Sequence, residues 1–353
     1  MCSYDYGNAR LRARKSKLLS FDELESLANL RGVDSFISAL TKTTYKYSVE
    51  SALTYKQGME CIREVMNREL SATASDIRKF YDGKDRKYID ITFSFQDLFN
   101  IQAIIRGLIN EISQGEIEES LLPIGNIPIP VLKGILKSSS VHEAIGKMVT
   151  LQINFSQPLL ELSEKRGEFT SEESDLALMS WYFGRVNEEL SVNNSSALIL
   201  KKNFRIEADI HNLITIFHIL SNLLGQAFSR KRMNDILLSF GNISIELIEE
   251  ALDQGDILKA INCLKNIAYG EYLQRGFEKF EQTEKISAIE DQLYLYIRKW
   301  MFKLPARYPL GIGVPLGYLA MKENEVRNLL WVAKGIQFGI EPNFIKENLE
   351  RIK

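Results

Sequence analysis

Apolar residues recur along this chain in a pattern that repeats at long range. Four times, one of them has apolar partners five and nine positions on: Leu19, Leu24 and Ala28; Ile127, Leu132 and Leu136; Ile243, Ile248 and Leu252; Ile340, Ile345 and Leu349. A spacing of five is that of a hydrophobic staple, in which the residue before an N-cap packs on the fourth helical residue. The intervening residues suit helix starts. Ser20 with Glu23 makes a capping box, Ser244 is a good N-cap, and Pro342 occupies the first helical position, where its missing N–H is harmless. Pro128 is a poor N-cap, so the second copy is expected to start one residue late. Fourteen positions after the staple residue, Val33, Val141 and Ile257 each open an apolar stripe continued at plus four and plus seven. That periodicity predicts a second amphipathic helix in each copy.

Each staple is preceded by an acidic residue three positions before an asparagine: Asp5 and Asn8, Asp97 and Asn100, Asp209 and Asn212, Glu325 and Asn328. A carboxylate followed by a helical pattern predicts a helix start, the acid capping the first turn at the positive end of the dipole. Long amphipathic helices are expected over residues 48–70, 171–190 and 286–302. The connection from asparagine to staple is 11 residues in the first copy and 12 in the last, against 27 and 31 in the middle two. This pairing predicts that the C-terminal half copy packs near the N-terminal unit, closing three similar helical domains around an axis. Their expected bounds are 1–92, 93–204 and 205–353, the last including the half copy. The repeat exceeds the units of common helical solenoids, about 33 to 47 residues, and describes repeated small domains.

Composition narrows the function. The 353 residues are 45% apolar and 25% charged with a net charge of −2, so no global basic field points to nucleic acid or a membrane surface. Cys2, Cys61 and Cys263 have neither pairing nor metal spacing, which fits a reduced cytoplasmic compartment. The N-terminus opens on Asp5 and a basic run rather than an apolar signal segment. The longest apolar tracts, such as 213–224, are too short to span a bilayer. Asn193 and Asn194 stand in glycosylation-type triplets but are expected to be solvated loop residues. Gly311, Gly313 and Gly317 are interrupted by Pro309 and Pro315 and predict a turn, not a dinucleotide site.

His211 and His218 lie seven apart without a third ligand and are expected to be helix histidines. Glu172, Glu173, Asp175, Glu249 and Glu250 suit helix starts or solvated faces. No catalytic, cofactor-binding or metal residue is therefore expected. The most distinctive local feature is the basic run from Asn8 to Leu19, in which Arg10, Arg14 and Lys17 are expected to share one helical face. That face is either solvated or a docking patch for an acidic protein.

The N-terminal Tyr6-Gly7-Asn8-Ala9-Arg10-Leu11-Arg12-Ala13-Arg14-Lys15-Ser16 and the C-terminal stretch from Tyr318 to Leu329, ending Glu325-Val326-Arg327-Asn328-Leu329, resemble one family. It is the C subunit of bacterial and archaeal V-type (A-type) ATPases, the relative of the d subunit of eukaryotic vacuolar ATPases. The likeness covers nearly the whole chain. It departs at Asn328-Leu329-Leu330, where family members usually carry Asn-Leu-Arg. The resemblance implies an all-α, funnel-shaped protein of three similar domains in a pseudo-threefold arrangement. It implies a non-catalytic central-stalk subunit, peripheral on the cytoplasmic face, whose partners are the D- and F-type shaft subunits and the proteolipid rotor ring. Its implied role is to couple ATP turnover to proton or sodium transport, or the reverse. An unrelated helical scaffold would explain the repeats without the paired end motifs, and an enzyme using His211 and His218 is the more distant alternative.

Overall fold

A computed structural model describes residues 4–221 and 236–352. Among them the chain is all-α, with eighteen helices and no strand. The staple helices Phe21–Ala28, Ile129–Leu136, Ile245–Asp253 and Pro342–Glu347 each begin two residues after their staple residue. Ser20 and Glu23 form the capping box, Ser244 accepts from the Leu247 N–H, and Glu341 caps the helix that Pro342 opens. The delay expected at Pro128 does not occur, since Ile129 starts its helix in the common register. Val33, Val141 and Ile257 are each the first residue of a second helix.

The helix expected over 48–70 is two helices, Lys46–Leu53 and Gly58–Phe80, parted by residues 54–57: Thr54 caps the first, Gln57 is extended, and Gly58 enters the second with φ 55°. Glycine takes the left-handed conformation at this turn without a Cβ clash. Helices Ser171–Glu189 and Ser287–Arg307 cover the other two expected stretches. Residues 83–109 form one long helix, Gly83–Ile109, and residues 195–220 another, Ser195–Leu220. The repeat boundaries at 92/93 and 204/205 fall inside these two helices, so neither is a linker.

The acidic residues do something other than the capping expected of them. Only Asp5 opens a helix; Asp97, Asp209 and Glu325 are buried in the middle of helices Gly83–Ile109, Ser195–Leu220 and Gly313–Gln337. A mid-helix N–H already has its partner four residues back, so a buried carboxylate there must find orphan donors elsewhere. Asp97 accepts from the Asn126 and Ile127 N–H groups at 2.7 and 3.0 Å, and Asp209 from those of Asn242 and Ile243 at 2.8 and 3.0 Å. Glu325 accepts from the Leu19 N–H at 2.5 Å. Each acid thus holds the turn that leads into a staple helix. The first copy takes its acid from the end of the chain.

The asparagine one turn on acts beside it, as i, i+3 spacing on a helix requires. Asn212 exchanges two hydrogen bonds with the Leu238 backbone, and Asn328 exchanges two with that of Glu350. Asn8 donates to the Gly311 carbonyl at 3.2 Å and accepts from the Tyr81 hydroxyl at 2.7 Å. Asn100 is buried. At Gly125 and Gly241 a Cβ would overlap the Asp97 or Asp209 carboxylate oxygen, so only glycine lets the turn approach this closely.

Asp97 is the strained member of the set. Burial, the largest influence, pushes its carboxyl up to about 6 against the pull of the two backbone N–H groups and of Arg78. An unfolded aspartate titrates near about 3.9, so the folded chain holds this proton more tightly. The carboxyl therefore favours folding below about pH 4 and loses that contribution as pH rises through about 6. Relative to Asp97→Asn, the wild-type chain should lose about 2–3 kcal/mol between pH 4 and 7. Urea midpoints of both proteins across that range measure it, and a constant difference would refute it.

Contacts group the chain into two compact units. The first comprises residues 1–97, 121–129 and 301–353. Its centre is helix Gly313–Gln337, buried on most of its surface and packed on helices Asp5–Lys15, Phe21–Ala28, Val33–Leu40, Gly58–Phe80 and Pro342–Glu347. The second comprises residues 98–120 and 130–300. Helix Ser195–Leu220 is its spine, with Leu200, Phe204, Leu213 and Phe217 buried and Tyr182 and Phe183 set edge-on to Phe204.

Candidate protein interface

Helix Asp5–Lys15 presents two chemistries. Gly7, Asn8 and Leu11 are buried, while Arg12, Arg14 and Lys15 crowd the last turn, where cations meet the negative end of the dipole. Arg14 pairs with Asp76 at 2.5 Å and lies 5.2 Å above the Phe80 ring. Arg10 lies 5.3 Å above the same ring and 5.9 Å from that of Tyr6. The helix ends at Lys15 with Ser16 as C-cap, and the Lys17 N–H closes a tight turn on the Arg14 carbonyl at 3.0 Å. Lys17 is therefore off the helical face expected to carry it. The turn nevertheless brings it round to the same place: Arg10, Arg14 and Lys17 all line one hollow of 560 Å³.

The floor of that hollow is a buried ionic network for which the repeat pattern gives no expectation. Lys322, 5% exposed, reaches the Glu325 carboxylate at 2.8 Å, Glu69 at 3.3 Å and the Tyr45 hydroxyl at 2.9 Å. The Tyr45 hydroxyl in turn donates to Glu325 at 2.7 Å, and its ring lies 4.1 Å from the ammonium. Burial first, then the Glu325 charge, holds the Tyr45 hydroxyl protonated, its pKa raised well above the ordinary value. An isolated charge taken from water at such depth costs several kcal/mol, and this arrangement offsets that by giving each charged group a partner.

Two signals in the sequence point to this arrangement. Tyr45 and Tyr269 both stand 26 positions after their staple residues, Leu19 and Ile243. Tyr269 donates to Asp209 at 2.6 Å as Tyr45 does to Glu325. Ile153 occupies that offset in the second copy. The second signal is Lys322 itself, a cation at the end of the apolar run 314–321 and three residues before Glu325 on the same helix.

The other candidates resolve into structural roles. Burial lowers the His211 pKa to about 4, and His218 pairs with Glu290 at 2.7 Å. Glu173 completes a capping box with Thr170, and Asp175 pairs with Arg106 at 2.8 Å. Asn194 is the N-cap of Ser195–Leu220, accepting from the Ala197 N–H at 3.0 Å. The Gly311–Gly317 stretch bridges two helices: Ser287–Arg307 ends before it and Gly313–Gln337 begins within it. Cys61 is buried and Cys263 half-buried; Cys2 and the last three residues of the apolar tract 213–224 lie outside the described residues. Among the described residues no cluster of His, Cys, Asp and Glu is disposed to hold a metal, and no helix is long and apolar enough to cross a membrane.

Comparison with known proteins places these features in a family. Curated C subunits of A-type ATP synthases are similar over almost the full chain. That of Thermococcus onnurineus is 27% identical over 346 residues, covering 98% of this chain and 89% of its own. Those of Desulfurococcus sp. and Methanocaldococcus jannaschii are 25% and 24% identical, covering 98% and 99% of this chain and 90% and 86% of theirs. Residues 7–348 match the family described as ATP synthase (C/AC39) subunit, a span running from the buried Gly7 to the C-terminal staple helix. With the match covering residues 7–348, nearly the whole chain, the chain belongs to the ATP synthase (C/AC39) subunit family.

Proposed function

We propose that this protein is the non-catalytic central-stalk subunit of an A/V-type rotary ATPase, joining the D- and F-type shaft subunits to the proteolipid ring. It is held at the cytoplasmic face through the complex. The observation that carries this reading is the full-length family match, together with relatives named as C subunits of A-type ATP synthases. The complex as a whole would carry out proton or sodium transport, or ATP synthesis. The packing supports the role physically. A subunit that passes on torque must deform little, and close-packed helical interiors braced by buried hydrogen-bond networks are stiff. The three-domain, pseudo-threefold funnel implied by the resemblance belongs to the same proposal, and a low-resolution map of the purified complex tests it.

Arg10, Arg14 and Lys17 contribute to one interface with a neighbouring subunit. Arg14 also bridges to Asp76, so the clean test reverses the two exposed cations. Arg10→Glu with Lys17→Glu should reduce recovery of shaft or ring subunits in a pull-down about tenfold at low salt, and less at high salt, where screening already weakens the contact. Recovery equal to wild type at low salt would remove these residues from the interface. Failure of the wild-type protein to copurify with any rotary ATPase subunit would overturn the functional reading itself.

A further inference from the structure

We propose that the hollow beside helix Asp5–Lys15 receives a carboxylate side chain from an acidic segment of a protein partner, bound by Arg10, Lys17, the open edge of Arg14 and the Tyr318 hydroxyl. The inference rests on the reading of the chain as a subunit of a larger assembly and supplies the chemistry of one contact.

Tyr318 points to a ligand. It lines the hollow and is only 7% exposed, yet its hydroxyl has no hydrogen-bond partner among the described residues. The ring is packed away while the hydroxyl stays open to the hollow, and a polar group placed so takes its partner from outside the chain. Burial pushes its pKa up to about 12, so it offers a proton to an arriving acceptor. Arg10 and Lys17 have no carboxylate partner among the described residues, and Arg14 gives only one edge to Asp76.

Charge selects the ligand class. Lys322 is occupied by Glu325 and Glu69, so Arg10, Arg14, Lys17 and Lys322 face three carboxylates and leave one positive charge unmatched. That balance suits a single carboxylate and disfavours a polyphosphate, whose several charges would meet Glu69 at close range. Tyr47 stands on the rim with 82% of its surface exposed. Tyr and Arg together are the residues that carry binding energy at protein interfaces, which favours a protein segment over a free anion.

Isothermal titration of the full chain at low salt tests this. The probes are a capped peptide carrying four glutamates, its glutamine counterpart, and inorganic phosphate. The glutamate peptide should bind at least about tenfold more tightly than either control. Arg10→Glu with Lys17→Glu should weaken it about tenfold or more. Tyr318→Phe, which removes only the hydroxyl, should weaken it several-fold with the melting temperature unchanged. Phosphate bound as tightly as the peptide, equal binding of the glutamine peptide, or affinity unmoved by both variants would overturn the proposal. Wild-type copurification with ATPase subunits is scored separately, so the hollow can fail while the family role stands.

Discussion

Asp209→Ala is expected to lower the stability of the chain by about 4–5 kcal/mol, at the top of the range for single substitutions. The carboxylate is fully buried and accepts four hydrogen bonds, from the Asn242 and Ile243 N–H groups, the Asn242 side chain and the Tyr269 hydroxyl. Alanine leaves those donors without an acceptor. Each buried orphan costs about 1–3 kcal/mol, reduced where the Tyr269 hydroxyl can rotate to another acceptor. Asp209→Asn keeps one accepting oxygen for the turn and should cost about half as much. Urea or thermal unfolding followed by circular dichroism measures both. A loss below about 1 kcal/mol for the alanine variant would mean that the turn is held by its packing and not by the acid.

Lys322→Met should be nearly as damaging, about 3–5 kcal/mol, because it removes the cation from a site that still holds two carboxylates. Glu325 is 4% exposed and the Glu69 side chain 19%, so water cannot take over the role of the ammonium. Adding Glu69→Gln to the methionine variant should recover part of the loss, since one buried charge fewer is left unmatched. The Arg14–Asp76 pair provides the contrast. Its side chains are 35% and 26% exposed, and such pairs contribute about 0–1 kcal/mol. If Lys322→Met proved as mild as Arg14→Met, the network would be solvated and its geometry incidental.

The sequence disclosed what depends on neighbours a few residues apart. The helix start after Leu19, the Ser20 box and the helix starts at Val33, Val141 and Ile257 are all set within two turns of chain, and each stands where the pattern placed it. The acid–asparagine pairs are visible as a repeat, but their role is not. A carboxylate before an apolar stripe looks the same whether it caps its own helix or reaches a turn 29 or more residues away. The repeated Gly-Asn-Ile at 125–127 and 241–243 is the available clue, since a glycine fixed two residues before a staple implies something packed against it. The break at Gly58 is hidden because the apolar stripe continues in phase on both sides of it. Of the Lys322 network the sequence carries only the shared offset of Tyr45 and Tyr269 and the place of Lys322, since Tyr45, Glu69 and Lys322 meet only when distant segments fold together.

That Leu19 is held by Glu325 has a consequence for biosynthesis. A partner of the earliest segment is translated some 300 residues after it, as the 306-residue separation of the bonded pair records. A ribosome adding about 5–20 residues per second leaves the amino-terminal helices waiting for tens of seconds. During that interval the surface later covered by helix Gly313–Gln337, including the Gly7, Asn8 and Leu11 face of the first helix, is exposed. Chains cut short by premature termination would stay in this unsealed form, a natural substrate for chaperones and proteases.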